Sequence, residues 1–206
     1  MKYLELKKQL NNFIIFTTIE IRKFELDFDT RRLSEWQNKG YIKKIRRGFY
    51  MFADLELNEP TLFVIANKIY NPSYVSFEMA FAYYNLIPES VYSITSASSQ
   101  KTTVFNTQIG NFVYHKLKPE LMFGYKLVNY KNYNFKMAEI EKAILDYFYI
   151  NTHLTIESDF QEIRFNRERF LEQVNRKKLK QYLKAFNNNL AKRMEKFLTY
   201  VDTQTN

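Results

Sequence analysis

The chain has 206 residues, 46% hydrophobic and 17% aromatic, enough to bury a core and exclude a disordered protein. It has no cysteine and two distant histidines, His115 and His153, which excludes disulfides, thiolate chemistry and cysteine-bound zinc and argues against a histidine-rich metal site. The net charge of +9 sits at the two ends: residues 1–52 carry 12 Lys/Arg against 6 Asp/Glu, residues 53–156 carry 8 against 9, and residues 157–198 carry 11 against 6. A basic excess attracts polyanions whatever their sequence, so the ends rather than the middle are the expected polyanion surfaces.

The first expected helix covers residues 3–13, with Leu4, Leu6, Leu10 and Phe13 as apolar positions. Thr17 or Thr18 suits the N-cap of a second, ending near Phe24. Asp29 can cap a third over residues 30–39, and Gly40 stands where such a helix ends. In that helix Leu33 and Trp36 share one side, while Arg31, Ser34, Glu35 and Asn38 share the other, with Arg32 and Lys39 on a flank. Arg can fork onto guanine and Asn onto adenine in a major groove. Two short strands follow, 42–45 and 49–52, joined across Arg46, Arg47 and Gly48. Three helices and a hairpin make the plan of a winged helix-turn-helix. The expected DNA-contacting residues are Thr30, Arg31, Arg32, Ser34, Asn38, Lys39, Lys43, Lys44, Arg46 and Arg47. The hairpin cations would mostly meet phosphates, and Arg46 or Arg47 at the tip would enter a minor groove.

An acidic linker, ADLELNE, leads to a helix over about 60–70, opened by Pro60. NPSYVS breaks it, and the next helix covers Phe77–Leu86. From about 91 to 137 the chain turns β-branched and aromatic, in VYSITSAS, TTVFNT, FVYHKL and GYKLVNY, with a turn at Ile109-Gly110-Asn111. EIEKAILDYFYI returns to helical spacing. After Thr155 two or three helices run to about Tyr200. Phe170, Val174, Leu179, Leu183 and Phe186 are their apolar positions; Lys177, Lys178, Lys180 and Lys184 are expected to face out as a candidate interaction surface. This segment reads equally as a helical cap, a second nucleic-acid surface or a docking site for an acidic partner. The expected fold class is α+β: a winged helix-turn-helix over 1–53, a mixed α/β domain over 60–155, and C-terminal helices over 156–206.

Enzyme chemistry finds little support. Lys142 and Asp146 can pair at i, i+4, which suits a salt link at a domain seam. Tyr74, Ser76, Glu78 and Tyr84 read either as a partner or ligand surface or, with Ser76 an N-cap and Glu78 a first-turn charge, as local structure. Neither histidine has a triad partner at a recognisable spacing, and four scattered glycines make no phosphate loop. No catalytic residue, metal or cofactor is expected. No apolar run is long enough to span a bilayer, and MKYLELKKQL lacks a signal-peptide core, so the expectation is a cytoplasmic protein without membrane association.

In order, the stretches LSEWQNKGYIKKIRRGFYMF, ANKIYNPSYVSFEMAFAYYNLIPE, SITSASSQKTTVFNTQIGNFVYHKLKPELMFGY and MAEIEKAILDYFYI resemble the AbiEi antitoxin family, from about residue 30 to about 150. The resemblance implies an abortive-infection antitoxin of a type IV toxin–antitoxin system. It implies a winged helix that represses its own operon from double-stranded promoter repeats, and a C-terminal domain serving antitoxicity. The implied toxin is a nucleotidyltransferase-like protein countered without a stable complex. The alternative from the residues is an interaction module whose basic surfaces bind RNA or an acidic toxin directly.

Overall fold

The computed structural model describes residues 1–203, a mixed α+β chain with ten α-helices and eight strands among them; residues 204–206 of the expected C-terminal region lie outside. Helices α1 (Tyr3–Leu10), α2 (Thr18–Arg22) and α3 (Arg31–Asn38) precede a hairpin of β1 (Ile42–Arg46) and β2 (Phe49–Phe52). The first helix is shorter than its apolar spacing predicts. Leu6 and Leu10 are buried, but Leu4 is exposed and Phe13 lies past the helix end. Thr17 caps α2 in a reciprocal box with Glu20. Gly40 follows α3 at φ +70°, a left-handed turn that a side chain would strain.

The hairpin is a wall common to two apolar clusters. Ile42 and Phe52, a cross-strand pair, face a small cluster with Leu6, Leu10, Phe16, Ile21, Leu33 and Trp36. Ile45 and Met51 join the much larger cluster of the remaining chain, as do Ile14 and Ile15. Strand alternation sends successive side chains to opposite faces, so Ile45, an odd number of residues past Ile42, lies on the Met51 side.

The larger part is built on a six-stranded mixed sheet: β3 (Ser73–Val75), β4 (Ser93–Ser98), β5 (Thr103–Thr107), β6 (Gly110–Lys116), β7 (Tyr125–Tyr130) and β8 (Tyr133–Ala138), in the order β5-β6-β4-β3-β8-β7. The hairpins β5–β6 and β7–β8 close the two edges; β4–β6 and β3–β8 pair in parallel. One strand goes beyond the sequence reading: NPSYVS does break the helix before it, but its SYV is also a central strand. Tyr133–Ala138, at the end of the β-rich stretch, is the second strand of the last hairpin. Helix α4 (Glu59–Ile69) covers one face, where the Tyr114 hydroxyl donates to the Ala66 carbonyl at 2.8 Å. Helices α5 (Phe77–Tyr83) and α6 (Ile140–Ile150) cover the other.

Beyond α6 come four helices, not two or three: α7 (Glu157–Glu162), α8 (Arg167–Gln173), α9 (Arg176–Leu183) and α10 (Asn188–Thr203). Asparagines divide the segment. Asn166 accepts from the Arg169 backbone N–H, Asn175 from those of Lys177 and Lys178, and Asn187 from that of Leu190. From α10, Arg193 donates to the Phe148 and Asn151 carbonyls at 2.8 and 2.9 Å, satisfying acceptors at the end of α6.

Candidate nucleic-acid interface

Helix α3 is anchored from beneath and open above. Leu33 and Trp36 are 2% and 6% exposed, and Trp36 meets Tyr3 and Phe28 edge-on or tilted at 6.1 and 5.8 Å. Asp29 accepts from the Arg31 backbone N–H at 3.0 Å and so closes the helix start; Thr30 occupies the cap position without bonding through its side chain. That backbone bond, more than the charge beside it, holds the Asp29 carboxyl below its ordinary range. On the outward side Arg31, Ser34, Glu35, Asn38 and Lys39 are all exposed. Arg31 is 90% exposed and meets Asp29 at 3.3 Å. Ser34, Asn38 and Lys39 find no side-chain partner among the described residues, which leaves their donors and acceptors to solvent.

Not every expected contact residue lies on that face. Arg32 is partly buried, and its guanidinium donates to the Met1 carbonyl, tying the chain start to α3. Arg46 is the larger correction. Instead of projecting from the hairpin tip, it bends over the Phe105 ring at 4.3 Å and donates to the Ile69 carbonyl at 2.8 Å. A weakly hydrated planar cation gains from an aromatic face and a carbonyl acceptor together. The tip keeps Arg47, exposed and next to Gly48 at φ +87°; Lys44 is exposed on β1 and Lys43 half-exposed. The expected contact residues that remain exposed are therefore Thr30, Arg31, Ser34, Asn38 and Lys39 at α3 and Lys44 and Arg47 on the hairpin.

The C-terminal lysines also divide. Lys177, Lys180 and Lys184 are exposed, but Lys178 turns back to Glu139 at 2.7 Å, and Tyr182 donates to the same carboxylate. Burial pushes the Glu139 carboxyl up, yet the bonds from Lys178 and Tyr182 outweigh it and hold it low.

The sequence pair Lys142 and Asp146 forms a closed structural knot. Both side chains are fully buried and paired. Asp146 also accepts from the Tyr74 and Ser76 hydroxyls, each at 2.9 Å, and Lys142 donates to the Tyr74 oxygen at 2.8 Å. Rings of Tyr74, Phe123 and Phe186 surround the ammonium at 5.2–5.4 Å. Burial pushes Lys142 down and Asp146 up, and their attraction opposes both shifts. Gly124, at φ +68°, passes so close that an added Cβ would come within 3.0 Å of Lys142 and Tyr182. With Tyr74 and Ser76 wholly inside, they belong to no partner surface. Ser76 does not cap α5 through its side chain: Thr95 reaches across from β4, accepting from the Met79 N–H at 3.0 Å and donating to the Ser76 carbonyl at 2.7 Å.

Among the described residues no helix is long and apolar enough to cross a membrane, and no three acids or histidines are grouped to hold a metal ion. No protein-family model matches the chain, and no curated protein matches it.

Proposed function

We infer that the protein is a DNA-binding transcriptional repressor in which α3 is the recognition helix of a winged helix and the β1–β2 hairpin its wing. The carrying observation is the exposed outward face of α3, where Arg31, Ser34, Asn38 and Lys39 stand above a buried Leu33–Trp36 base. Asn and Arg offer the bidentate geometry that base edges require, while Lys44 and Arg47 suit phosphates. Repression then needs only occupancy of a promoter. On its resemblance to AbiEi antitoxins, the protein is the cytoplasmic antitoxin of a type IV pair. It represses its own operon and counters a nucleotidyltransferase-like toxin without a stable complex.

The test is a mobility-shift titration with the DNA upstream of this gene and a scrambled fragment, at two salt concentrations. Arg31→Ala with Asn38→Ala should weaken binding to the upstream DNA by about 2–5 kcal/mol and erase its preference over the scrambled one. Lys44→Ala or Arg47→Ala should weaken both DNAs alike and lower the salt slope by about one. Unchanged binding in the double variant sinks the recognition-helix assignment. A second reading, direct binding of RNA or of an acidic toxin, draws on the exposed Lys177, Lys180 and Lys184 of α9. A stable co-purifying complex lost on their substitution would select it.

A further inference from the structure

On the α5–α6 side of the sheet a cleft of about 570 Å³ opens beside β4 and β6. That volume lies within the roughly 300–1,000 Å³ of small-molecule sites. Its floor includes Thr95, Val113 and His115, and Glu78 and Tyr147 stand in its walls. Phe77, held at φ +60°, sets its ring edge-on against His115 at 4.9 Å.

The electrostatics of the cleft run against the rest of the molecule. The chain carries +9, yet three carboxylates, Glu78, Glu89 and Glu162, line this one hollow. Glu89 is answered by Arg164 at 2.8 Å. Glu78 is not: its Oε2 is shut from solvent and accepts no hydrogen bond from the described residues. A half-buried carboxylate with no counter-charge is partly desolvated and favours a cation brought beside it. Burial lowers the His115 pKa, which disfavours a competing positive charge in the cleft. The walls offer Tyr147, and Tyr92 stands at the rim with 89% of its surface exposed. Aromatic faces attract organic cations.

We propose that this cleft binds an organic cation, a primary ammonium or a guanidinium, with Glu78 as its counter-ion and the Tyr147 and Tyr92 rings against its apolar stem. Acids and histidines do not converge here as a metal would require, and rings beside the half-buried, unanswered Glu78 suit a carbon-bearing cation. The site is separate from any role of α3, so failure of the DNA reading leaves it standing.

Titration calorimetry of the full chain with agmatine, spermidine and a Gly-Arg-Gly peptide tests it. The expected result is one saturable site per chain for at least one probe, weakened ten-fold or more by Glu78→Gln with an unchanged circular dichroism spectrum. Binding of the free amines but not the peptide identifies a small metabolite-like cation, and the reverse identifies a side chain of another protein; either supports the site. Ser90→Arg, an exposed rim substitution that plants a guanidinium beside the cleft, should abolish binding as well and decides the matter if Glu78→Gln does not fold. No saturable binding of any probe at millimolar concentration overturns the proposal, as does equal binding by wild type and a folded variant.

Discussion

The two basic ends of the chain look alike as sequence and differ in how many of their cations are paired. At the N-terminal end most cations are left to water: Arg31, Lys39, Lys44 and Arg47 are exposed, and of these only Arg31 meets a carboxylate. At the C-terminal end several cations are spent on holding the helices together. Lys178 joins α9 to Glu139, Arg176 meets Asp202 at 2.8 Å, and Arg193 caps α6. The uses overlap: Arg32 and Arg46 are drawn inward at one end, and Lys177, Lys180, Lys184, Lys192 and Lys196 stay outside at the other. Charge density along a sequence therefore says where a polyanion can be attracted, not which cations remain free to meet it.

The inward use of charge reaches its limit at Lys142. Lys142→Ala should cost about 3–5 kcal/mol, because it strands the Asp146 carboxylate without its counter-charge. Chemical denaturation measures this, and a loss below about 1 kcal/mol would mean that the knot contributes little. Arg46→Ala comes next. Losing the Phe105 stack and the Ile69 bond should lower stability by about 1–2 kcal/mol. Arg47→Ala should leave stability unchanged while weakening DNA binding, so the neighbouring arginines separate the two uses of charge within one turn. If Arg46→Ala proves the DNA variant and is neutral in melting, the N-terminal half of the comparison fails.

The smallest effect belongs to Lys178→Ala, about 0.5–1 kcal/mol near neutral pH, since both partners keep solvent contact and screening discounts the pair. Its pH dependence is the sharper readout. The Glu139 carboxyl is held below its ordinary value of 4.5 in the folded chain. The stability it contributes is complete above that value and is lost as pH falls through the lower folded one. Acid titration of stability should therefore be shallower in the variant. Identical acid limbs would show that Tyr182, not Lys178, holds Glu139.

What the sequence made readable was local. Thr17 before α2, Asp29 and Gly40 around α3, and the Leu33–Trp36 spacing are decided within a few residues, and each stands where its chemistry predicts. What escaped depends on distant neighbours. Ser73–Val75 is too short to show alternation, and it is a strand because β4 and β8 flank it. Arg46 turns inward because Phe105 and Ile69, remote in sequence, stand beside it. Glu78 satisfies the rule for a helix first turn, which conceals that it lines a cleft with residues of β4, β6 and α6. The asparagines dividing the C-terminal helices were a local signal, but one masked by the continuous basic, amphipathic pattern around them.

The hairpin shared by the two apolar clusters limits how this protein can be recombined. Ile42 and Phe52 belong to one interior and Ile45 and Met51 to the other, and Ile14 and Ile15 cross in the same direction. A chimera joined at residue 53, with a foreign DNA-binding head, would remove four buried side chains from the body and leave their places open to water. Heads and bodies of this kind are then exchangeable only together with that inner face, and under the proposed function the outward side of α3 is the easier place to change what the protein binds.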